Sequence, residues 1–377
     1  CDPSKGTICL GGRCASPCKA LADKPLDQQR NNVGCTFLPV FLDNNKKENL
    51  GIIVSNPNAF AATVKLRDRS GEVARKEVEA GGLATLLLPP GVQVLVGSGH
   101  GYDFAYELES SLPIAAYQFN PLDKAEQRSN DASLLLPTTA LGRRYRVLAG
   151  PVTSAGASYV TVVGVEDNTQ LTITPSTAIQ PQGTLTSALA AGKPYVTTLG
   201  ARDLFQLASA AKDADLTGTL VESNKPVAVF GGNGCLFLPA LSTFCDHIEE
   251  QQLPVETWGK RYAAIKFQPR GKQPEDDWWR IIAAEDDTSV TLSGAPGLPT
   301  LTPLGAGEHV WVKTAASFLI ESSKPIAVGH YMLSQSAVSL PLAPGYDEPF
   351  ETGDHCAKSA TTSSMGDPAL SILVPTK

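Results

Sequence analysis

Several features that define other classes of protein are missing from this sequence. It contains no run of 18 apolar residues, which a membrane-spanning helix requires. Lys and Arg do not cluster, and the formal net charge of −7 argues against nucleic acid as a partner, since phosphate binding needs grouped cations. Helical periodicity is nearly absent, and residues 17–32 are the best candidate for a helix. These absences disfavour membrane-spanning, nucleic-acid-binding and all-helical proteins.

The chain is rich in turn residues and short alternating segments instead. It holds 33 Gly and 28 Pro, more than a helical protein tolerates. Apolar residues recur at every second position in 49–68, 159–175 and 279–294, as in a strand with one face in the core. Each segment has a polar corner at its centre, and we interpret each as a hairpin. The sequence therefore predicts an all-β fold.

Two short segments of the sequence, which we call repeated phrases, each occur more than once. The first occurs as SSLPIAAYQF (110–119), SNKPVAVFGG (223–232) and SSKPIAVGHY (322–331). The second occurs as LPTTALGRRYRV (136–147) and LPVETWGKRYAA (253–264). Because the period is close to a hundred residues, each repeat is large enough for its own core, in the manner of a small antiparallel sandwich.

We therefore predict three tandem antiparallel β-sandwich-like repeats behind a small disulfide-rich segment. The segment GDPALSILVP (366–375) resembles NDASLLLPTT (130–139), the strand that opens the second repeat. It is either a truncated repeat strand or one that closes an edge, and we favour pairing because an exposed apolar edge invites aggregation. The predicted boundaries are a cysteine-rich segment 1–34, repeats at 35–134, 135–250 and 251–345, and a C-terminal segment 346–377.

Eight cysteines indicate disulfides and hence an oxidising compartment, either secreted or at the cell surface. Zinc is the alternative, but the chain has no Cys-x-x-Cys and no His in its first 99 residues. Because the sequence begins at Cys1, we expect that a signal peptide has been removed. A lipid anchor at Cys1 is an alternative that would leave seven thiols to pair.

The cysteine positions suggest particular disulfides. Cys235 and Cys245 bracket an apolar loop and are expected to pair. A Cys35–Cys356 bridge would tie together the two ends of the repeated body. The four early cysteines would then pair among themselves, in one of three connectivities. The predicted bridges are Cys235–Cys245, Cys35–Cys356, Cys1–Cys14 and Cys9–Cys18.

Candidate binding residues surround the WW pair. Trp278 and Trp279 are neighbours on one strand and face opposite ways, so one is expected in the core and the other at the surface beside Asp276, Asp277 and Arg280. The acidic corners offer oxygen ligands for calcium, although they lack EF-hand spacing and ordinary turns are the alternative. These calcium candidates are Glu166, Asp167, Glu285, Asp286 and Asp287.

Catalytic chemistry finds little support in the sequence. The CDH run at 245–247 places a thiol, a carboxylate and an imidazole together, but adjacent residues of a strand point to opposite faces. The alternative is that Asp246 and His247 hydrogen-bond this loop to the neighbouring repeat. A polysaccharide hydrolase would need paired carboxylates across a cleft. We predict that the protein is not an enzyme and needs no cofactor, calcium being the one candidate.

Three segments together resemble the IgGFc-binding domain family, namely ESNKPVAVFGGNGC (222–235), FCDHIEEQQLPVETWGKRY (244–262) and GDPALSILVP (366–375). The lead-in CDPSKGTICLGGRCASPCKA (1–20) is similar to that of bacterial secreted members. The resemblance implies a non-enzymatic module associated with mucus, adhesion and extracellular matrix. We expect an adhesion module that binds an extracellular protein or glycan. The alternative is a matrix or fibre subunit whose partners are copies of itself.

Overall fold

The structure is a computed structural model of the 377-residue chain. It describes residues 7–10, 13–23, 31–42, 44, 49–88, 95–102, 104–122, 129–153, 155–242, 245–270, 274–334 and 368–376. The fold is almost entirely β, as the sequence predicts, and its sheets are antiparallel. None of the described helices is long and apolar enough to span a membrane.

The described part of the chain contains one α-helix and 24 strands. The helix α1 (Pro17–Ala22) begins at the start of the predicted segment, with Ser16 as its N-cap. The first ten strands are β1 (Ile8–Leu10), β2 (Arg13–Ala15), β3 (Gly34–Phe37), β4 (Leu50–Ser55), β5 (Ala62–Asp68), β6 (Gly71–Val78), β7 (Leu83–Leu88), β8 (Gly99–Gly101), β9 (Glu107–Asn120) and β10 (Asp131–Leu135).

The remaining strands follow in chain order. They are β11 (Arg144–Arg146), β12 (Ser158–Gly164), β13 (Thr169–Thr174), β14 (Tyr195–Leu199), β15 (Leu204–Ser209), β16 (Leu220–Ser223), β17 (Val227–Leu236), β18 (Asp246–Gln251), β19 (Gly259–Ala264), β20 (Asp277–Ala283), β21 (Val290–Ser293), β22 (His309–Thr314), β23 (Phe318–Tyr331) and β24 (Leu370–Ile372).

The strands that follow the β1–β2 pair form three sheet systems. The first system contains β3–β7, β9 and β10, the second contains β8 and β11–β18, and the third contains β19–β24. In the first and third systems one long strand serves two layers: the first half of β9 pairs with β3 and β5, and its second half with β4 and β10. β23 does the same in the third system. These long strands carry the repeated phrase.

The predicted hairpins are wrong, although their strands are present. β4 pairs with β7 and β9, whereas β5 pairs with β6 and β9, so the chain crosses from one layer to the other at the polar corner. β12 and β13 are separated in the same way. The alternating pattern shows which residues face the core, but not which strand is the hydrogen-bonded neighbour.

Each system encloses a buried apolar cluster. The first cluster includes Ile52, Val64 and Ile114, the second Val160 and Leu171, and the third is built around Trp279, Ile281 and Ile320. A fully buried Leu or Ile contributes about 1.5–3 kcal/mol to stability. Two smaller clusters lie where the second system meets the third.

Equivalent residues recur in the three systems. Gly34, Gly142 and Gly259 each pack against a proline, where a Cβ would overlap the ring; the partners are Pro137, Pro254 and Pro375 respectively. Tyr145 and Tyr262 each accept the N–H of the glycine three residues earlier and donate to a backbone carbonyl of the repeated phrase. The boundaries and number of repeats drawn from the sequence remain predictions, but these contacts align the systems residue by residue.

The disulfides correct two of the predicted pairings. Cys235 and Cys245 are bonded, as predicted. Cys35 is bonded to Cys18, with Cα atoms 5.7 Å apart, so the Cys35–Cys356 and Cys9–Cys18 predictions are wrong. The physical reason is that α1 packs against β3 and β9, which brings Cys18 beside Cys35. Cys14 is disulfide-bonded, while Cys1 and Cys356 lie outside the described residues.

Candidate functional site

The first system meets the second along β18, which carries the CDHIEEQQLP sequence. β18 is an edge strand that pairs with β17 on one side only. On its other side the N–H groups of His247, Glu249 and Gln251 donate to side-chain oxygens of the preceding system at 2.7, 3.0 and 2.7 Å. The acceptors are Ser129 Oγ, Asp131 Oδ2 and Ser133 Oγ, respectively. Side chains thus accept hydrogen bonds from the backbone N–H groups of a sheet edge that would otherwise need a neighbouring strand.

Behind this edge lies a buried polar network. The Glu249 carboxylate accepts from Gln118 Nε2 at 2.9 Å and Asn120 Nδ2 at 3.2 Å, and its Oε2 lies 3.1 Å from His247 Nε2. The side chains of Glu249 and His247 are fully buried. Because both amides belong to β9 and both other residues to β18, the network fixes one system on the other. His247 therefore hydrogen-bonds this segment to the preceding system, as the alternative interpretation of CDH predicted, whereas the Asp246 carboxylate accepts from the N–H of His247.

Two carboxyl groups of this junction have perturbed acidity. Burial raises the pKa of Asp131 well above its ordinary value of 3.8, and the nearby charges of Glu249 and Asp246 raise it further. Burial likewise raises the pKa of Glu250 well above 4.5, assisted by Asp131. Ser133 Oγ and the Ile372 N–H donate to the Glu250 carboxylate, so β18 in turn caps an N–H of β24.

A buried cation, the Arg280 guanidinium, lies where the second system meets the third. Arg280 donates to Thr217 Oγ1 at 2.9 Å and pairs with the Asp215 carboxylate. Its guanidinium lies 4.5 Å from the centre of the Trp311 ring. Tyr331 OH donates to the Ala149 carbonyl at 2.8 Å, across the same junction. This junction is therefore built on an ion pair and aromatic rings.

The structure separates the residues of the predicted Trp site. Trp279 lies in the core of the third system, stacked on His330 at 3.6 Å, and Asp277 is buried and accepts from His330 Nε2 at 2.7 Å. Neither is available to a ligand, which corrects that part of the prediction. Trp278 is partly buried beneath the Lys313 ammonium, 3.6 Å from the ring centre, and Asp276 is exposed.

The acidic corners are locked turns. Lys225 Nζ donates to the Asp167 carbonyl at 2.6 Å, and the Asp167 carboxylate accepts from Ala201 N–H at 2.9 Å. Lys324 and Asp286 repeat this arrangement, with Ala306 as the donor. Glu166 and Glu285 contribute carbonyl oxygens to Thr hydroxyls, and Asp287 adopts a positive φ of 53°. Among the described residues, no group of three or more His, Cys, Asp or Glu is arranged to hold a metal.

The residues considered for catalysis lie in a disulfide or are buried in a junction. Cys245 is bonded to Cys235, so it carries no thiol to act as a nucleophile. The carboxyl groups of Asp131, Glu249 and Glu250 converge inside the first junction, where a polysaccharide chain has no access. A hydrolase of extracellular polysaccharide would need such groups in an open cleft.

An open polar groove lies beside the Cys18–Cys35 disulfide. It has a volume of about 530 Å³ and is lined by Lys65, Arg75 and Glu109 and by the hydroxyl groups of Thr36, Thr63, Ser110 and Ser111. Arg75, Lys65, Glu109 and Thr36 stand in one cross-strand row of β6, β5, β9 and β3. Arg75 is held by Glu72 at 2.7 and 2.9 Å, and Glu109 pairs with Arg67 at 3.2 Å.

This groove was not predicted from the sequence. Its residues are separated by up to 93 positions in the chain, and although Ser110 and Ser111 begin the first repeated phrase, nothing in that phrase indicates a groove. Alternation in 62–68 shows that Lys65 faces away from the core, but the cross-strand neighbours depend on register. The disulfide that forms one wall involves Cys35, for which the sequence suggested a different partner.

Comparison with known proteins identifies the family. The family model of IgGFc binding protein matches residues 131–377, which include β10, β18, the second junction and β24, whereas Gln118, Asn120 and Ser129 of the first junction precede the match. The human IgGFc-binding protein is 27% identical over 307 residues, covering 80% of this chain and 5% of that protein. No solved structure matches. The chain belongs to the IgGFc-binding protein family, and the bacterial origin suggested by its lead-in remains a prediction.

Proposed function

We propose that this chain is an extracellular binding module that engages a protein partner through the groove beside Cys18–Cys35. Membership of the IgGFc-binding family supports a protein ligand, and the disulfides suit a secreted or cell-surface location. Immunoglobulin Fc is one ligand to test, because the human relative is named for binding it. Adhesion to a glycan or matrix partner is the wider role that this binding would serve.

The row of charged and hydroxyl groups in the groove carries the proposal. Backbone pairing of four strands holds these side chains in place, and the disulfide ties the adjoining segment to β3. A binding site on sheet strands costs little ordering entropy when the partner arrives. Arg75 is already paired with Glu72, so Lys65 supplies the positive charge, and the hydroxyls donate or accept hydrogen bonds; the groove fits a polar protein segment with an exposed carboxylate.

Binding of the full chain to immobilised immunoglobulin Fc, mucin glycans and polysaccharides tests the proposal. Lys65→Glu should weaken binding at least tenfold, while Lys193→Glu, an equal charge change on an exposed loop of the second system, should leave it unchanged. If Fc and the glycans bind neither the wild type nor the control, this proposal fails. EDTA should have no effect on binding; a loss of binding in EDTA would return calcium to the acidic corners.

A further inference from the structure

The repeated contacts between systems define a docking face. In the second system the outward residues of β12, β15 and β17 are buried against the first system; they include Val163, Leu204, Ala228 and Phe230. In the third system the corresponding residues Ile282 and Ala327 are buried against Leu148 of the second. The same register places Ser55 and Ala115 at these positions in the first system.

In the first system, Leu122 lies over Gly51 on this face, and the other apolar residues of the face are largely exposed in the part of the chain that the structure describes. These residues are Ile53 on β4, Leu83 and Leu87 on β7, and Tyr117 on β9, and we call these four residues the head face. Leu83 is 72% exposed, Leu87 50% and Tyr117 38%. Leu87 corresponds by register to Ala208 of the second system and Tyr117 to Phe230, both of which are buried. Apolar side chains grouped on an exposed sheet face are a feature of interaction surfaces.

The opposite end of the molecule exposes the complementary surface. Each face docks on an apolar residue six positions after the repeated glycine. That residue is Val40 after Gly34, which is buried in a cluster shared by the first and second systems, and Leu148 after Gly142, which is buried against the third system. The third equivalent, after Gly259, is Ile265, which is 64% exposed.

A second position completes that surface. The residue before the repeated proline is Leu136 in the first system, which is buried, and Leu253 in the second, which packs against the third system. Its third equivalent, Val374, is 76% exposed. We call Ile265 and Val374 the tail surface. In the part of the chain that the structure describes, both ends therefore expose apolar residues equivalent to those that the internal junctions bury.

We propose that the head face binds the tail surface of a second copy of this chain, repeating between molecules the docking seen twice within one. Because head and tail are different surfaces, the contact is heterologous and leaves one free surface of each kind on every complex. It therefore gives open chains of molecules, with assembly that increases with concentration. The groove involves the other layer of the first system, so this inference is independent of the proposed function.

Complementary variants test the proposal by sedimentation velocity on the full chain. The head variant combines Leu87→Glu with Tyr117→Glu, and the tail variant combines Ile265→Glu with Val374→Glu. We expect the wild type to form oligomers across the micromolar range and each variant alone to be monomeric. An equimolar mixture of the two variants should stop at a dimer, because one intact head meets one intact tail.

Three results would overturn the inference. A wild type that is monomeric at every concentration excludes the second copy as the occupant. A single variant that still self-associates indicates a symmetric or unrelated contact, and a mixture that stays monomeric while the wild type assembles shows that head and tail do not meet. Val196→Glu, at an exposed apolar position away from both ends, is the matched control and should assemble like the wild type. Circular dichroism and melting temperature check that each variant is folded.

Discussion

The two junctions hold sheet systems together with the same surfaces but with different chemistry. The first is a network of carboxyl, amide and imidazole groups around Glu249. The second depends on Arg280, its partner Asp215 and the ring of Trp311. The difference shows that the docking geometry comes from the repeated backbone register and the apolar residues at its edge. Polar residues in the middle of the face are free to differ between the two junctions.

The largest expected effect comes from removing the cation of the second junction. Arg280→Met leaves Asp215 without its partner and should lower the free energy of unfolding by about 3–5 kcal/mol. Arg144→Met, which breaks the exposed pair with Glu222, should cost at most about 1 kcal/mol. Urea unfolding of both variants measures the two effects. Equal costs would mean that Arg280 does not hold this junction together.

A smaller loss is expected at the first junction. Glu249→Ala removes the acceptor of Gln118 and Asn120; because Asn120 Nδ2 keeps its bond to the Leu42 carbonyl, the expected loss is that of one unsatisfied buried amide, on the order of 1–3 kcal/mol. The same urea experiment applies, with Glu222→Ala at an exposed position as the control. A Glu249→Ala protein as stable as the wild type would show that the network is not needed for docking.

The junctions should also differ in their response to pH. A carboxyl whose pKa is raised on folding stabilises the protein fully below its unfolded value, and that contribution is lost as the pH rises through the folded value. Asp131 and Glu250 therefore stabilise the folded protein most in acid, and their contributions decline as the pH rises above their ordinary pKa values of 3.8 and 4.5. Glu250→Gln should flatten the decline in unfolding free energy between about pH 4 and neutrality. An unchanged slope would contradict the assignment.

Asp277 in the third system should give stability the opposite dependence on pH. Burial raises the pKa of Asp277, but the hydrogen bonds from His330 and the Phe267 N–H outweigh burial and hold it below 3.8. Its contribution is therefore present above 3.8 and is lost as the pH falls through the lower folded value. Asp277→Asn should remove stability at neutral pH and leave less to lose in acid. Unfolding curves at neutral and strongly acidic pH measure this difference, and an equal loss at both would contradict it.

The smallest predicted effects should be equal in the two locked corners. Lys225→Met and Lys324→Met each remove one hydrogen bond to an aspartate carbonyl and should each cost about 1 kcal/mol, since the exposed pair of Lys225 with Glu166 at 3.5 Å adds little. Melting temperatures of the two variants give the comparison. Clearly unequal shifts would show that the second and third systems do not use their corners in the same way.

The positions of many strands could be predicted because local sequence patterns mark them. Alternation located β4, β12 and β20, and the repeated phrase located β9, β17 and β23. The strand partners could not be predicted, since a polar corner such as Asn56-Pro57-Asn58 suits a hairpin and a crossing between layers equally well. The difference lies in core packing between distant strands, which no single segment reveals.

Fewer features of the candidate site could be predicted from the sequence. Trp278 and Trp279 were correctly expected to face opposite ways, but the second junction covers much of the outer ring. Cys35 was assigned to Cys356 because a bridge between the ends of the body looked plausible, whereas a local contact with α1 decides the pairing. The groove and the head face depend on cross-strand register, which the sequence does not fix.

Amide hydrogen exchange at β18 tests most directly whether docking between systems builds this molecule. The account predicts that His247, Glu249 and Gln251 are protected like core strands, because Ser129, Asp131 and Ser133 cap their N–H groups. Ser133→Ala should increase exchange at Gln251 more than at Glu249. Fast exchange of all three amides in the wild type, as at a free sheet edge, would contradict the docking of the first system on the second.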